Sequence, residues 1–73
     1  MPLEIVELPI TGKIIAVEVN EGDNVKQGDT ICVVESMKME NPISSPVDGI
    51  VKELFVKSGN FINAGEKLAV IEY

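Results

Sequence analysis

The chain has 73 residues, with twelve acidic side chains against six basic ones, no histidine, one cysteine and a formal net charge of −6. An internal disulfide and a Cys/His metal cluster are excluded, and the charge opposes binding to nucleic acid or to an anionic membrane. Without histidine the commonest general base is missing, so catalysis by this chain alone is not expected. Residues 1–73 give room for one domain, and a domain of this size buries only about 60% of its unfolded surface. Its stability must come from packing the 45% of residues that are apolar and from backbone hydrogen bonds. A lone thiol fits a reducing compartment, so the expected location is cytoplasmic.

The opening segment, "MPLEIVELPI", lacks a basic region followed by a long apolar run, so no signal peptide is expected, and no stretch reaches the length of a membrane-spanning helix. From Pro9 the chain enters an internal repeat. "PITGKIIAVEVNEGDNVKQGDTICVVE" (9–35) aligns without a gap on "PVDGIVKELFVKSGNFINAGEKLAVIE" (46–72), at a constant offset of 37 (46 − 9). Pro9 falls on Pro46, Gly12 on Gly49, Gly22 on Gly59, Gly28 on Gly65 and Glu35 on Glu72.

In each half a glycine turn, Gly12 or Gly49, opens a β-branched run, "GKIIAVEV" or "GIVKELFV", that suits a strand. A turn segment follows, "NEGDNVKQGD" or "KSGNFINAGE", with two glycines in each copy that provide positive φ. Val25 or Ile62, alone between those glycines, is expected to plug the core. A second strand closes each half, "TICVVE" or "KLAVIE". No segment has the 3.6-residue period of an amphipathic helix, so the fold class is all-β with a pseudo-twofold axis, as a barrel or a sandwich. Val17, Val19, Leu54 and Val56 share one parity and face inward, whereas Ile14 and Val51 have the other. Either a bulge near Ala16 and Glu53 reconciles them, or both faces of these strands are partly covered. Cys32 reads as a small packing residue, Pro42 as an edge or bulge position, and Pro46 as a strand start.

Between the halves lies the joint, residues 36–45. "ESMKMENP" (35–42) links the last strand of one half to a short returning strand. A tight hairpin with Lys38 at or near its tip is predicted, at the end of the molecule opposite the termini. The turn has none of the usual Gly, Asn, Asp or Pro. Methionine at an exposed tip gains nothing by burial, but it offers a soft, adaptable surface to a partner.

This joint, with the repeat on both sides and "SPVDGIV" closing it, resembles the attachment hairpin of biotinyl domains, the biotin carboxyl carrier modules of biotin-dependent carboxylases, decarboxylases and transcarboxylases. The resemblance runs from about Ile5 to Glu72. It implies a flattened β-barrel, a barrel-sandwich hybrid of two four-stranded antiparallel sheets, with positive φ at Met37 and Lys38. It further implies that Lys38 carries covalent biotin. Met37 and Met39 would be the recognition flanks, with Glu35, Ser36 and Glu40 beside them. The implied partners are a biotin protein ligase, a biotin carboxylase, and a carboxyltransferase or decarboxylase between which carboxybiotin travels. An exposed lysine is protonated at neutral pH, so the base that activates it must come from the ligase. Family members commonly have alanine at the position of Ser36, and the gapless repeat leaves no room for the thumb-like loop of some carriers.

Lipoyl domains resemble the same fold, but their turn usually reads Asp-Lys-Ala; Met37 and Met39 favour biotin. A third reading is an unmodified barrel serving as an assembly module.

Overall fold

The computed structural model describes residues 2–73. Eight strands follow in order: β1 (Leu3–Glu7), β2 (Gly12–Val17), β3 (Asn24–Val25), β4 (Thr30–Ser36), β5 (Met39–Ser44), β6 (Gly49–Leu54), β7 (Phe61–Ile62) and β8 (Lys67–Glu72). They form two four-stranded antiparallel sheets, ordered β1-β8-β6-β3 and β5-β4-β2-β7. Advancing every strand by four turns one order into the other, which is the pseudo-twofold relation expected from the repeat. With β1–β4 and β5–β8 taken as the two sets of equivalent strands, each sheet draws two strands from each set, so the sets are interleaved. No helix among the described residues is long and apolar enough to cross a membrane.

The repeat reaches further than the aligned sequence. β1 and β5 occupy equivalent edges, yet "LEIVE" and "ENPIS" share only one apolar position, Val6 with Ile43. Both residues are buried, and the other positions of these edge strands are free to differ.

Cross-half hydrogen bonds lock the two copies together. Gly22 N–H donates to the Val51 carbonyl at 2.8 Å, and Gly59 N–H donates to the Ile14 carbonyl at 2.7 Å. Gly28 N–H reaches the Ser45 carbonyl at 2.9 Å, and Gly65 N–H reaches that of Leu8 at 2.8 Å.

Pairing of β2 with β4 skips between Ile14 and Ala16, and pairing of β6 with β8 skips between Val51 and Glu53. One extra residue in each strand, Ile15 or Lys52, flips the alternation. Ile14 and Val51 are thereby fully buried, while Val17 and Leu54 pack against the core from its margin. The bulge is present in both strands, and partial cover of both faces accompanies it in β2, where Ile15, Ala16 and Val17 are all half-buried. Val25 is buried and Ile62 is packed on the same core, though each lies in a two-residue strand instead of a turn.

Two expectations fail. Gly12 and Gly49 are not turn formers: each begins a strand, and neither has positive φ. They are glycine because the paired neighbouring strand comes too close. A Cβ on Gly12 would overlap the Glu35 carbonyl oxygen and stand 2.7 Å from Val34 Cγ1; on Gly49 it would overlap the Glu72 carbonyl and stand 2.8 Å from Ile71 Cγ2. Pro46 does not start a strand either. It sits in a bend and β6 begins at Gly49. The bend is closed by buried Ser45, whose Oγ donates to the Val47 carbonyl at 2.7 Å.

Cys32 is fully buried in β4, and burial pushes its thiol up to about 11 from an ordinary 9.0. The unfolded thiol therefore loses its proton first as pH rises, so this residue's contribution favours the fold below about 9 and fades towards about 11. In urea titrations, Cys32→Ala is expected to lose less stability than the parent between these two pH values. Equal alkaline losses in both proteins would contradict the assignment.

Candidate functional site

Cross-strand register brings the proposed site together. In β4 and β5, Val34 stands opposite Asn41, Glu35 opposite Glu40, and Ser36 opposite Met39. Met37 and Lys38 are left as a two-residue connection, with Lys38 at the tip. Their φ values are 53° and 65°. Positive φ at both central positions is the type I′ geometry, one of the turns whose twist matches that of the strands in a two-residue hairpin. The expectation drawn from the resemblance holds.

The choice of residues carries information. The other four positive-φ positions, Gly22, Gly28, Gly59 and Gly65, are all glycine. An L side chain in that region costs roughly 1–2 kcal/mol. The chain avoids this cost at its other tight turns and accepts it twice in succession here. A fold selected for stability alone would place Asn-Gly at this corner. Met37→Asn is accordingly expected to stabilise the domain by about 1 kcal/mol, a rise in Tm of roughly 4–8 °C. A thermal melt at or below that of the parent would refute the strain argument.

What the strain secures is display. Met37 is 92% exposed and Met39 is 66% exposed, the former being more exposed than any other large hydrophobic residue described. Lys38 is exposed between them. Among the described residues the ion pair formed is Lys52 with Glu72 at 3.6 Å, and Lys38 takes part in none. Its side chain is therefore open to solvent.

Glu35 and Glu40 are exposed and directly opposed across the hairpin, a like-charge pairing that works against the ladder. Lys13 stands across from Glu35 on the other side, in β2. Ser36 is half-buried at the end of β4. All six residues singled out in the sequence thus share one hairpin.

Two supporting residues were not evident from the sequence. The side-chain amide of Asn41 donates to the Met39 carbonyl at 3.2 Å and to that of Val34 at 3.5 Å, bracing the returning strand. Gly12 lets β2 approach the Glu35 carbonyl at the hairpin's base. Their residue types gave a signal, a polar residue before Pro42 and a glycine repeated at Gly49, but the contacts depend on strand register.

A lysine at the apex of a strained turn, flanked by unburied thioethers and held on a braced β-ladder, is suited to receiving a bulky acyl group as an amide. The family whose model matches this chain, over residues 4–71, is described as "Biotin-requiring enzyme". The chain is 43% identical over 68 residues to the biotinylated protein TB7.3 homolog of Mycobacterium leprae, covering 93% of this chain and 96% of that protein. It is also 43% identical over 67 residues to the alpha3 subunit of a biotin-dependent acyl-coenzyme A carboxylase from the same organism, covering 92% of this chain but 11% of that subunit. Among solved structures, Kluyveromyces lactis urea carboxylase matches with a TM-score of 0.91 and 29% identity, over 99% of this chain and 6% of that one. The chain thus spans nearly all of one relative and a small fraction of the two carboxylases.

Proposed function

This chain belongs to the biotin-requiring-enzyme family, and from that membership we propose that it is a carrier domain on which a biotin protein ligase attaches biotin to Lys38. The observation that carries the reading is the turn itself. Met37 and Lys38 occupy the positive-φ positions that every other such corner of the chain gives to glycine. The residues fit the group: the amine is exposed, free of any described ion pair, and offset from the body of the domain by a two-residue tip. When bound, biotin supplies a ureido nitrogen able to accept and release a carboxyl group.

The protein's own part is attachment and presentation. Lys38 provides the nucleophile and gives up its charge on forming the amide. Met37 and Met39 offer apolar contact to the ligase, and Glu35, Ser36 and Glu40 border that contact. Asn41 and the β4–β5 ladder keep the base of the tether still, so that little extra disorder is added to the arm. Tethering then raises the local concentration of the cofactor at two sites that the domain visits in turn. These sites belong to a biotin carboxylase and to a carboxyltransferase or decarboxylase, partners the domain meets in the cytoplasm. The same reading takes residues 1–73 as one attachment domain, its halves 9–35 and 46–72 joined by 36–45.

The decisive experiment is intact mass after incubation with a biotin protein ligase, ATP and biotin, beside a parallel reaction with a lipoate ligase and lipoate. One biotin less one water, mapped to a peptide containing Lys38, is the expected result. A gain with lipoate alone would assign the lipoyl reading, and no gain in either reaction would leave an unmodified assembly module.

A further inference from the structure

The sheet edges of this molecule are not equally protected. β3 and β7 are two residues long, too short to template another strand, whereas β1 and β5 run for five and six residues. Backbone parity shows which of their groups face outward. Tyr73 N–H donates to the Pro2 carbonyl at 3.0 Å, a hydrogen-bonded pair continuous with the register of β1 on β8. Bonded and non-bonded pairs alternate in an antiparallel ladder, so Glu4 and Val6 are the residues that bond to β8. Leu3 and Ile5 turn their N–H and carbonyl groups the other way, where β1 has no partner among the described strands.

The same alternation in β5 starts from Ser36 and Met39, the bonded pair that flanks the two-residue turn, and leaves Glu40 and Pro42 facing outward. At the repeat offset of 37, Pro42 is the equivalent of Ile5, and proline has no N–H to offer. One edge of this pseudo-symmetric pair is therefore blocked at its centre, and the other is open at the equivalent place. Leu3 and Ile5, 50% and 47% exposed, add apolar side chains to the open edge. A cleft runs between the two edges, lined by Ile5, Val6 and Glu7 on one side and by Pro42, Ile43 and Ser44 on the other.

We propose that β1 is a strand-addition site: an extended, basic segment of a partner protein pairs antiparallel with it and becomes the fifth strand of that sheet. Main-chain bonds to Leu3 and Ile5 supply the affinity, and the side chains beside them the specificity. The occupant is basic because neither strand lining the cleft contains lysine or arginine, whereas Glu4, Glu7 and Glu40 lie on them. A second copy of the chain would bring the same glutamates and a further charge of −6 to the same place. The lining of the cleft does not include Met37 or Lys38, so a seated segment leaves the hairpin tip uncovered. The inference stands apart from the proposed attachment of biotin and applies equally to the unmodified chain.

The test is amide hydrogen exchange of the whole chain, followed by NMR. The probe is an end-blocked peptide, Lys-Val-Val-Lys-Val. Paired antiparallel, it sets lysine against Glu7 and Glu4, and valine against Val6, Ile5 and Leu3. Without peptide, the Leu3 and Ile5 amides are expected to exchange fast and those of Glu4 and Val6 slowly. With peptide at roughly ten times its Kd, exchange at Leu3 and Ile5 should slow by about tenfold, because protection grows with the ratio of free peptide to Kd. The Lys38 amide should not respond. Methylating the two peptide nitrogens that face Leu3 and Ile5 is expected to abolish the effect. Ile5→Pro in the protein should abolish it too, and Pro42 shows that the fold accepts proline at the equivalent place. No slowing up to about 1 mM peptide, or equal slowing by the methylated peptide, would overturn the proposal. So would slowing that follows the concentration of the chain alone, which would give the edge to a second copy. Biotin transfer to Lys38 is read separately, and its failure would remove the attachment reading without touching this one.

Discussion

Lys38→Arg is expected to abolish covalent loading completely while shifting the unfolding free energy by no more than about 0.5 kcal/mol. The two halves of this expectation have separate causes. Lys38 is exposed, forms no ion pair among the described residues, and lies beyond the last paired residues, Ser36 and Met39. Arginine in the same left-handed corner meets the same backbone constraint, so the fold is indifferent to the exchange. A guanidinium, however, keeps its proton throughout the physiological range and offers no free amine lone pair for acyl transfer. Lys13, Lys26, Lys52, Lys57 and Lys67 remain as internal controls, because none of them sits in a Met-Lys-Met sequence. Intact mass after ligase treatment reads the first half and urea titration the second. Loading that persists in the variant at another lysine would show that the tip is not the determinant.

Gly12→Ala and Gly49→Ala are each expected to destabilise the domain by about 3 kcal/mol, at the upper end of ordinary overpacking. A new Cβ at either position overlaps a backbone carbonyl, which cannot rotate away as the end of a side chain can. For a chain of this length the total stability is on the order of 4–11 kcal/mol, so the loss is a large share. The pair also separates fold from function. At residue 12 the methyl group presses on Glu35, the base of the attachment hairpin; at residue 49 it presses on Glu72, the equivalent place in the other sheet. Matched urea titrations should give similar losses. Ligase assays at equal folded fraction should show slower loading for Gly12→Ala alone. Equal loading in both variants would mean that the hairpin is insulated from β2.

Much of this arrangement is legible in the sequence because the repeat is gapless. Once Gly22 aligns with Gly59 and Gly28 with Gly65, the paired corners follow from the positive φ that only glycine accepts cheaply. The parity conflict between Ile14 and Val17 was enough to suggest a bulge, and a bulge at Ile15 resolves it. The hairpin was legible for the opposite reason: a turn without turn residues stands out. The features that stayed hidden depend on contacts between strands far apart in sequence. Edge strand β1 packs through Val6 alone in common with its counterpart, too little to register as a repeat. Gly12 and Gly49 resemble turn glycines in sequence, and only the paired neighbouring strand reveals that they mark a close approach. Pro46 resembles a strand start in sequence, whereas Ser45 folds the backbone into a bend there first.

The strand order has a bearing on biosynthesis. β8 (Lys67–Glu72) is the neighbour of both β1 and β6, and β1 has no other partner among the described strands. A nascent polypeptide still lacking residue 67 onwards consequently has the attachment hairpin in sequence but only one of its two sheets capable of closing. With long-range pairing dominating, neither half can serve as a preformed folding unit. Covering the shared core must wait for β8 to leave the ribosome, whereas the sheet that holds the attachment hairpin contains no β8 and has all its strands before that moment.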